Sequence, residues 1–172
     1  MKLIQFCLTT LALAVLANAQ PCNLPAGYVV ETVNIPKEIT LGVGGMAFMD
    51  NHTLLICTRE GEVWKFNTQD GSWELYADGL HESLGLWIDK QKGDVYVMQR
   101  PELTRLVDTN KDGKADLYQT VNAGWGLTDN YHEYTFGPVR DSKGNFYGTL
   151  NTSLSWPGWA GSDKWDLSLI HI

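Results

Sequence analysis

The sequence predicts an all-β protein built as a β-propeller. Three observations predict it. Aromatic residues and glycine are abundant, with 7 Trp, 7 Tyr, 5 Phe and 17 Gly in 172 residues. Long apolar runs are few. Three segments also repeat one pattern: a short apolar strand, an Asp/Gly/Asn-rich turn and a second apolar strand. Their aromatic anchors Phe48, Trp87 and Phe136 stand 39 and 49 residues apart, the period of a four-stranded blade.

The chain opens with an address. Met1-Lys2 is a short basic start, residues 3–16 are mostly apolar, and Ala17-Asn18-Ala19 offers small residues to a signal peptidase. Residues 1–19 are therefore expected to be a secretory signal peptide, cleaved before Gln20. The apolar stretch is short for a membrane span, and no second one of that length follows. The mature protein is expected outside the cytoplasm, secreted or periplasmic, with no membrane span. Cys22 and Cys57 then remain. In an oxidising compartment they could form one disulfide, or stay two separate buried thiols.

Composition narrows the class. With 13 Lys+Arg against 20 Asp+Glu, the formal charge is −7, which disfavours nucleic acid or an anionic membrane as a partner. A hydrophobic content of 44% with 19% charged residues suits a packed domain rather than a disordered chain.

The repeats follow in order. The first covers residues 45–57 and 58–66, with a turn at Asp50-Asn51. The second covers 84–97, with a turn at Lys92-Gly93, and continues into the strand Leu103–Val107. The third covers 134–150, with a turn at Lys143-Gly144. Such turns are hairpin signals. One blade cannot cover its own apolar faces, so neighbours must bury them and a ring must close. About three blades are present here, too few to close alone; an open β-sandwich is the alternative architecture.

Between the second and third repeats lies Asp108-Thr-Asn110-Lys-Asp112-Gly113-Lys114-Ala-Asp116. Oxygen-bearing side chains at alternating positions can converge on a hard cation, with the Lys114 carbonyl turned inward. Gln119 stands where an EF-hand has its bidentate Glu, and the flanks read as strands. The expectation is a structural calcium loop in a β-hairpin, with Asp108, Asn110, Asp112, Lys114 and Asp116 as ligands. The alternative is a solvated acidic turn.

The stretch 124–134 is dense in polar and aromatic groups just before a strand, where binding residues gather. His132 could act as general base, with Glu133 orienting it, or could be a packed structural histidine. Trp125 could stack on a flat ligand. His81 could face a central channel, while His52 falls in a hairpin turn. No two histidines have zinc-ligand spacing. No nucleophile elbow, phosphate-cradling loop or haem-attachment motif occurs.

The chain resembles a family of exported bacterial propellers labelled membrane-bound dehydrogenases and related to the quinone-dependent glucose/sorbosone dehydrogenases. The residues that carry the resemblance are Gly-Leu-His-Glu-Ser-Leu-Gly-Leu at 79–86, the run 103–116, Trp125-Gly126-Leu127, and His-Glu-Tyr-Thr-Phe-Gly-Pro-Val-Arg-Asp at 132–141. The resemblance implies a six-bladed propeller when complete. It implies pyrroloquinoline quinone over a central polar site, a sugar or alcohol substrate, and a haem group as electron acceptor. It also implies a catalytic histidine before a strand ending in Phe-Gly-Pro-Asp. Here Phe136-Gly137-Pro138 matches and Val139 replaces the Asp. His132 lies closer to Gly137 than the family's histidine does, which makes Asp129 a competing position. Trp125, Asn130 and His81 would then contact the cofactor.

Two functions are carried forward. One is a quinone-dependent sugar or alcohol dehydrogenase. The other is a non-catalytic propeller binding a carbohydrate or a protein. A gluconolactonase-like metal hydrolase would need a central carboxylate cluster that this sequence does not assemble. The propeller domain is expected over residues 20–166. The terminal Leu-Ser-Leu-Ile-His-Ile resembles a translated sequencing adapter, so residues 167–172 are expected to be an artefact and the domain an N-terminal fragment.

Overall fold

The computed structural model describes residues 25–125 and 132–151, and the backbone of 169–171. The expected signal peptide and Cys22 lie outside them. The chain divides into two units, Met1–Thr32 and Val33–Ile172. In the first, residues 25–32 are an open coil with one turn, closed by the Tyr28 amide on the Pro25 carbonyl at 3.2 Å.

The second unit is all-β. Its strands are β1 (Val43–Phe48), β2 (Thr53–Thr58), β3 (Val63–Asn67), β4 (Trp73–Ala77), β5 (Leu86–Asp89), β6 (Asp94–Met98), β7 (Leu103–Val107), β8 (Leu117–Asn122), β9 (Thr135–Arg140), β10 (Phe146–Leu150) and β11 (Leu169–His171). They form three antiparallel sheets, ordered β1-β2-β3-β4, β5-β6-β7-β8 and β11-β10-β9. Each sheet is a meander of neighbours in sequence, as short turns between alternating strands dictate. The described strands do not close into a ring. Backbone bonding places Leu169–His171 beside Tyr147–Thr149 as the edge of the third sheet.

The turns have a common cause. Asp50 Oδ1 accepts from the amides of His52 and Thr53, both at 2.8 Å. Asp89 Oδ1 accepts from Gln91 and Lys92 at 3.1 and 3.3 Å. Asp141 Oδ1 accepts from Lys143 and Asn145 at 2.8 and 2.9 Å. A short carboxylate that bonds the backbone two residues on builds a turn. These three aspartates, 39 and 52 residues apart, define the true register of the repeat. In that register the equivalent of Trp87 is Val139, three places beyond the expected anchor Phe136.

Alternation along the strands gives each sheet two faces. Ala47, Leu55, Cys57, Val63 and Tyr76 of the first sheet bury against Leu86, Ile88, Val95, Val97 and Leu106 of the second. Trp87, Tyr96, Met98 and Leu103 of the second bury against Phe146 and Leu150 of the third. Leu55, Val95, Val97 and Leu106 are wholly enclosed, and each such side chain stabilises by about 1.5–3 kcal/mol. Arg140 ties the second and third sheets. Its guanidinium lies 4.8 Å from the Trp87 ring, 5.0 Å from Phe146 and 3.6 Å from the Asp89 carboxylate.

Cys57 sits inside the first core, its Sγ 3.8 Å from the Ser83 carbonyl. Burial pushes its thiol up to about 11, so at neutral pH it is a small apolar group.

The first strands of the three sheets lie side by side with almost no space between their backbones. A Cβ on Gly45 would lie 2.6 Å from Gly85 Cα, and one on Gly85 would lie 1.7 Å from the Gly137 carbonyl oxygen. Only glycine permits that approach. It draws the loops before β5 and β9 towards the ends of β2 and β6.

Candidate functional site

Those loops and strand ends carry a cluster of charged and aromatic side chains. Arg59 follows β2 directly, and Arg100 lies two residues beyond β6. His81 and Glu82 belong to the loop before β5, and Glu133 and Tyr134 to the loop before β9. Glu82 is the hub. Its Oε1 accepts from Arg59 Nη2 at 3.2 Å and its Oε2 from Arg100 Nη1 at 3.0 Å. His81 Nε2 stands 3.9 Å from Oε2.

Arg100 is the fixed partner. Its side chain is only 8% exposed, and its Nε donates to the Glu133 carbonyl at 2.9 Å. The Arg100 carbonyl in turn accepts from Trp125 Nε1 at 2.8 Å and Thr135 Oγ1 at 3.0 Å. The His81 amide donates to Gln99 Oε1 at 2.6 Å, while Gln99 Nε2 donates to Thr104 Oγ1 at 2.6 Å. The loop is thus held from both ends. Glu82 has φ of +49°, an uncommon backbone for a residue with a side chain, of the kind that gathers at functional sites.

Arg59 is the exposed partner, with a side chain 53% accessible. Its Nη2 donates to the Tyr134 hydroxyl at 3.1 Å. The hydrogen bond to Glu82, then the charge of Tyr134, hold its guanidinium above the usual arginine range. Tyr134 receives both guanidinium carbons over its ring, Arg59 at 5.4 Å and Arg100 at 5.8 Å from the centroid. Phe136 lies 6.4 Å from the same ring, tilted by 59°, and is exposed. This is a cation-gathering aromatic face beside a carboxylate.

The sequence-predicted residues fall unevenly around it. His81 borders the cluster. His132 is exposed, and its carbonyl accepts from Asn151 Nδ2 at 3.0 Å. Glu133 turns inward and is fully buried. Trp125 is also buried, packed in the second core with its indole N–H on Arg100, so it props the site from behind rather than stacking on a ligand. Asp129 and Asn130 lie outside the described residues. Arg59, Glu82 and Arg100 were not foreseen, and Tyr134 was marked only as part of the stretch 124–134. Their signal was an arginine just after the second strand in two successive repeats.

The expected calcium loop is a turn closed by its own hydrogen bonds and by one lysine from the first sheet. Asp108 accepts from the amides of Asp112 and Gly113 at 3.2 and 2.9 Å. Asn110 accepts from Asp112 at 3.0 Å, and Asp112 from Lys114 at 2.9 Å. Asp116 accepts from the Thr109 amide and hydroxyl at 2.8 and 2.6 Å. Lys65, reaching over from β3, donates to the Gly113 carbonyl. Among the described residues no group of three or more His, Cys, Asp or Glu side chains is arranged to hold a metal ion. The calcium expectation is therefore corrected: backbone amides and the Lys65 ammonium satisfy this loop.

No protein-family model matches the chain. Two curated proteins are similar to part of it. The glycine betaine-binding periplasmic protein OusX of Dickeya dadantii (strain 3937) is 28% identical over 140 residues, covering 72% of this chain and 42% of that protein. The glycine betaine/proline betaine-binding periplasmic protein of Escherichia coli (strain K12) is 29% identical over 106 residues, covering 55% of this chain and 32% of that protein. The chain thus spans less than half the length of these relatives.

These similarities overturn the resemblance to quinone-dependent dehydrogenases. The relatives are binding proteins by name. The pyrroloquinoline quinone, the sugar or alcohol substrate and the haem acceptor fall with the dehydrogenase reading. Location stands: this is a secreted or periplasmic protein, in agreement with both relatives. No helix among the described residues is long and apolar enough to cross a membrane.

Proposed function

We propose that this chain is part of an exported, non-catalytic binding protein for a small zwitterion of the betaine class. The observation that carries the reading is the Tyr134 ring, over which two guanidinium groups already sit beside the Glu82 carboxylate. A betaine joins a quaternary ammonium to a carboxylate. Its ammonium suits an aromatic face, and its carboxylate suits a guanidinium fork.

The exposed Arg59 makes the exchange feasible. Its guanidinium swings off Tyr134 to meet the ligand carboxylate, and the trimethylammonium group takes its place between Tyr134, Phe136 and Glu82. Arg100, buried and bonded to Glu133, keeps Glu82 in position throughout. A betaine carries no net charge, so the net charge of the cluster is the same before and after. The names of the two relatives support the same ligand class.

The reading takes the three sheets as consecutive blades of a propeller, with the cluster at the end of its axis. The close-set glycines Gly45 in β1, Gly85 just before β5 and Gly137 in β9 support that arrangement.

Isothermal titration with glycine betaine tests the function. Saturable binding is expected, weakened roughly tenfold or more in Tyr134→Ala and in Arg59→Ala, about 1–2 kcal/mol for each contact. Absence of binding to the unmodified chain rejects the reading.

A further inference from the structure

A crevice lined by several charged residues opens between the first two sheets, on the side of the loop 108–116. It encloses about 210 Å³ and is lined by Lys65, Tyr76, Lys92, Asp94, Asp108 and Lys111 among others. We propose that this crevice is a binding site for a phosphate group.

Two independent observations meet there. The first is charge. Three lysines gather at one crevice in a chain whose formal charge is −7. Lys92 and Lys111 pair with no carboxylate among the described residues. The carboxylates in the wall are already satisfied. Asp94 is held by Arg105, whose Nε and Nη2 donate to Oδ2 at 2.9 and 2.6 Å. Asp108 accepts the amides of Asp112 and Gly113. Lys65 uses one of its three donors on the Gly113 carbonyl, so two remain.

The second observation is Tyr76. The residue is 97% enclosed, at 3% exposure, yet its hydroxyl has no hydrogen-bond partner among the described residues. A buried polar group without a partner is costly, and a ligand that accepts from it removes the cost. Burial, followed by the charges of Asp108 and Asp94, pushes the phenol up to about 12. Both carboxylates line the crevice, and so does Tyr76. Its hydroxyl stays protonated and can donate to a phosphate oxygen, while the lysine ammonium groups neutralise the charge. Lys65, which lines the same crevice, stands 5.0 Å from the centre of the Tyr76 ring.

The test compares melting in inorganic phosphate and in chloride at matched ionic strength, with phosphate affinity measured by titration. The chain is expected to melt at least about 2 °C higher in phosphate. Lys92→Gln combined with Lys111→Gln changes two exposed side chains and should leave the fold intact. It should abolish the specific increment and so separate it from the general stabilising effect of phosphate as a solute. Tyr76→Phe should be as stable as the parent or more stable in chloride, because the unpaired hydroxyl is gone. It should bind phosphate roughly tenfold more weakly. An increment that is missing in the parent chain, or that survives unchanged in the double lysine variant or in Tyr76→Phe, overturns the proposal.

Discussion

Gly85 and Gly137 meet backbone to backbone, with the Gly137 carbonyl oxygen where a Gly85 Cβ would lie, 1.7 Å away. This contact sets the spacing of the second and third sheets at the strand ends nearest the Arg59–Glu82–Tyr134 cluster.

Gly85→Ala is therefore expected to destabilise by at least about 3 kcal/mol, since the new methyl meets rigid backbone at a φ of +153°. Gly71→Ala is the control. Gly71 also has positive φ, at +74°, but nothing lies within 4 Å of its Cβ position. Its cost should be about 1 kcal/mol, from backbone strain alone. Urea denaturation of the two variants gives the comparison, and equal costs would remove the close contact as the cause.

The Arg105–Asp94 pair should respond asymmetrically. The Asp94 side chain is 5% exposed and that of Arg105 31%. Arg105→Met strands a buried carboxylate and should cost roughly 3 kcal/mol. Asp94→Asn leaves a guanidinium that still reaches water, and should cost about 1–2 kcal/mol. Denaturation midpoints of the two variants fix the order, and the reverse order contradicts this account of the pair.

Cys57 gives stability an alkaline limit. Its thiol is raised from 9.0 to about 11 in the fold, mainly by burial. The folded state thus holds the proton more tightly than the unfolded chain does. The associated stability is full below pH 9 and is lost as pH rises from about 9 to about 11. Over that window roughly 2–3 kcal/mol should disappear. Urea midpoints at pH 8 and pH 10.5 measure the fall, which Cys57→Ala should reduce. An unchanged fall in that variant would assign it to other groups.

Asp141 should titrate low. The Asn145 side chain, then the Asn145 amide, the Tyr147 hydroxyl and the Lys143 amide, hold its carboxyl down to about 2. Asn145→Ala should move its NMR titration midpoint upward by removing the largest of these bonds. A midpoint near the ordinary aspartate value in the parent chain contradicts the turn geometry.

Local pattern carried much of the fold. Strand β7 and the start of β8 were legible because alternating apolar residues flank an Asp/Asn/Gly loop. The hairpin turns at Asp50, Lys92-Gly93 and Lys143-Gly144 were legible from their turn residues. What failed was long-range. The loop at 108–116 has the residue spacing of a cation site, but Lys65, far away in sequence on another sheet, occupies its Gly113 carbonyl. Trp125 reads as a stacking platform until the backbone of Arg100 claims its N–H. Arg59 and Tyr134 are 75 residues apart, and only the packing of three sheets brings them together. Motif resemblance pointed to redox chemistry because turn residues and glycines report backbone geometry, and backbone geometry does not fix a ligand.

The central claim is that the Tyr134 face accepts a cation. The most direct measurement sets glycine betaine against 3,3-dimethylbutanoate, which has the same shape and carboxylate but an uncharged carbon in place of the ammonium nitrogen. Titration calorimetry should show betaine binding roughly tenfold or more tightly than the neutral-headed isostere, with the difference lost in Tyr134→Ala. Equal affinity for the two compounds, or no affinity for betaine, would contradict the account.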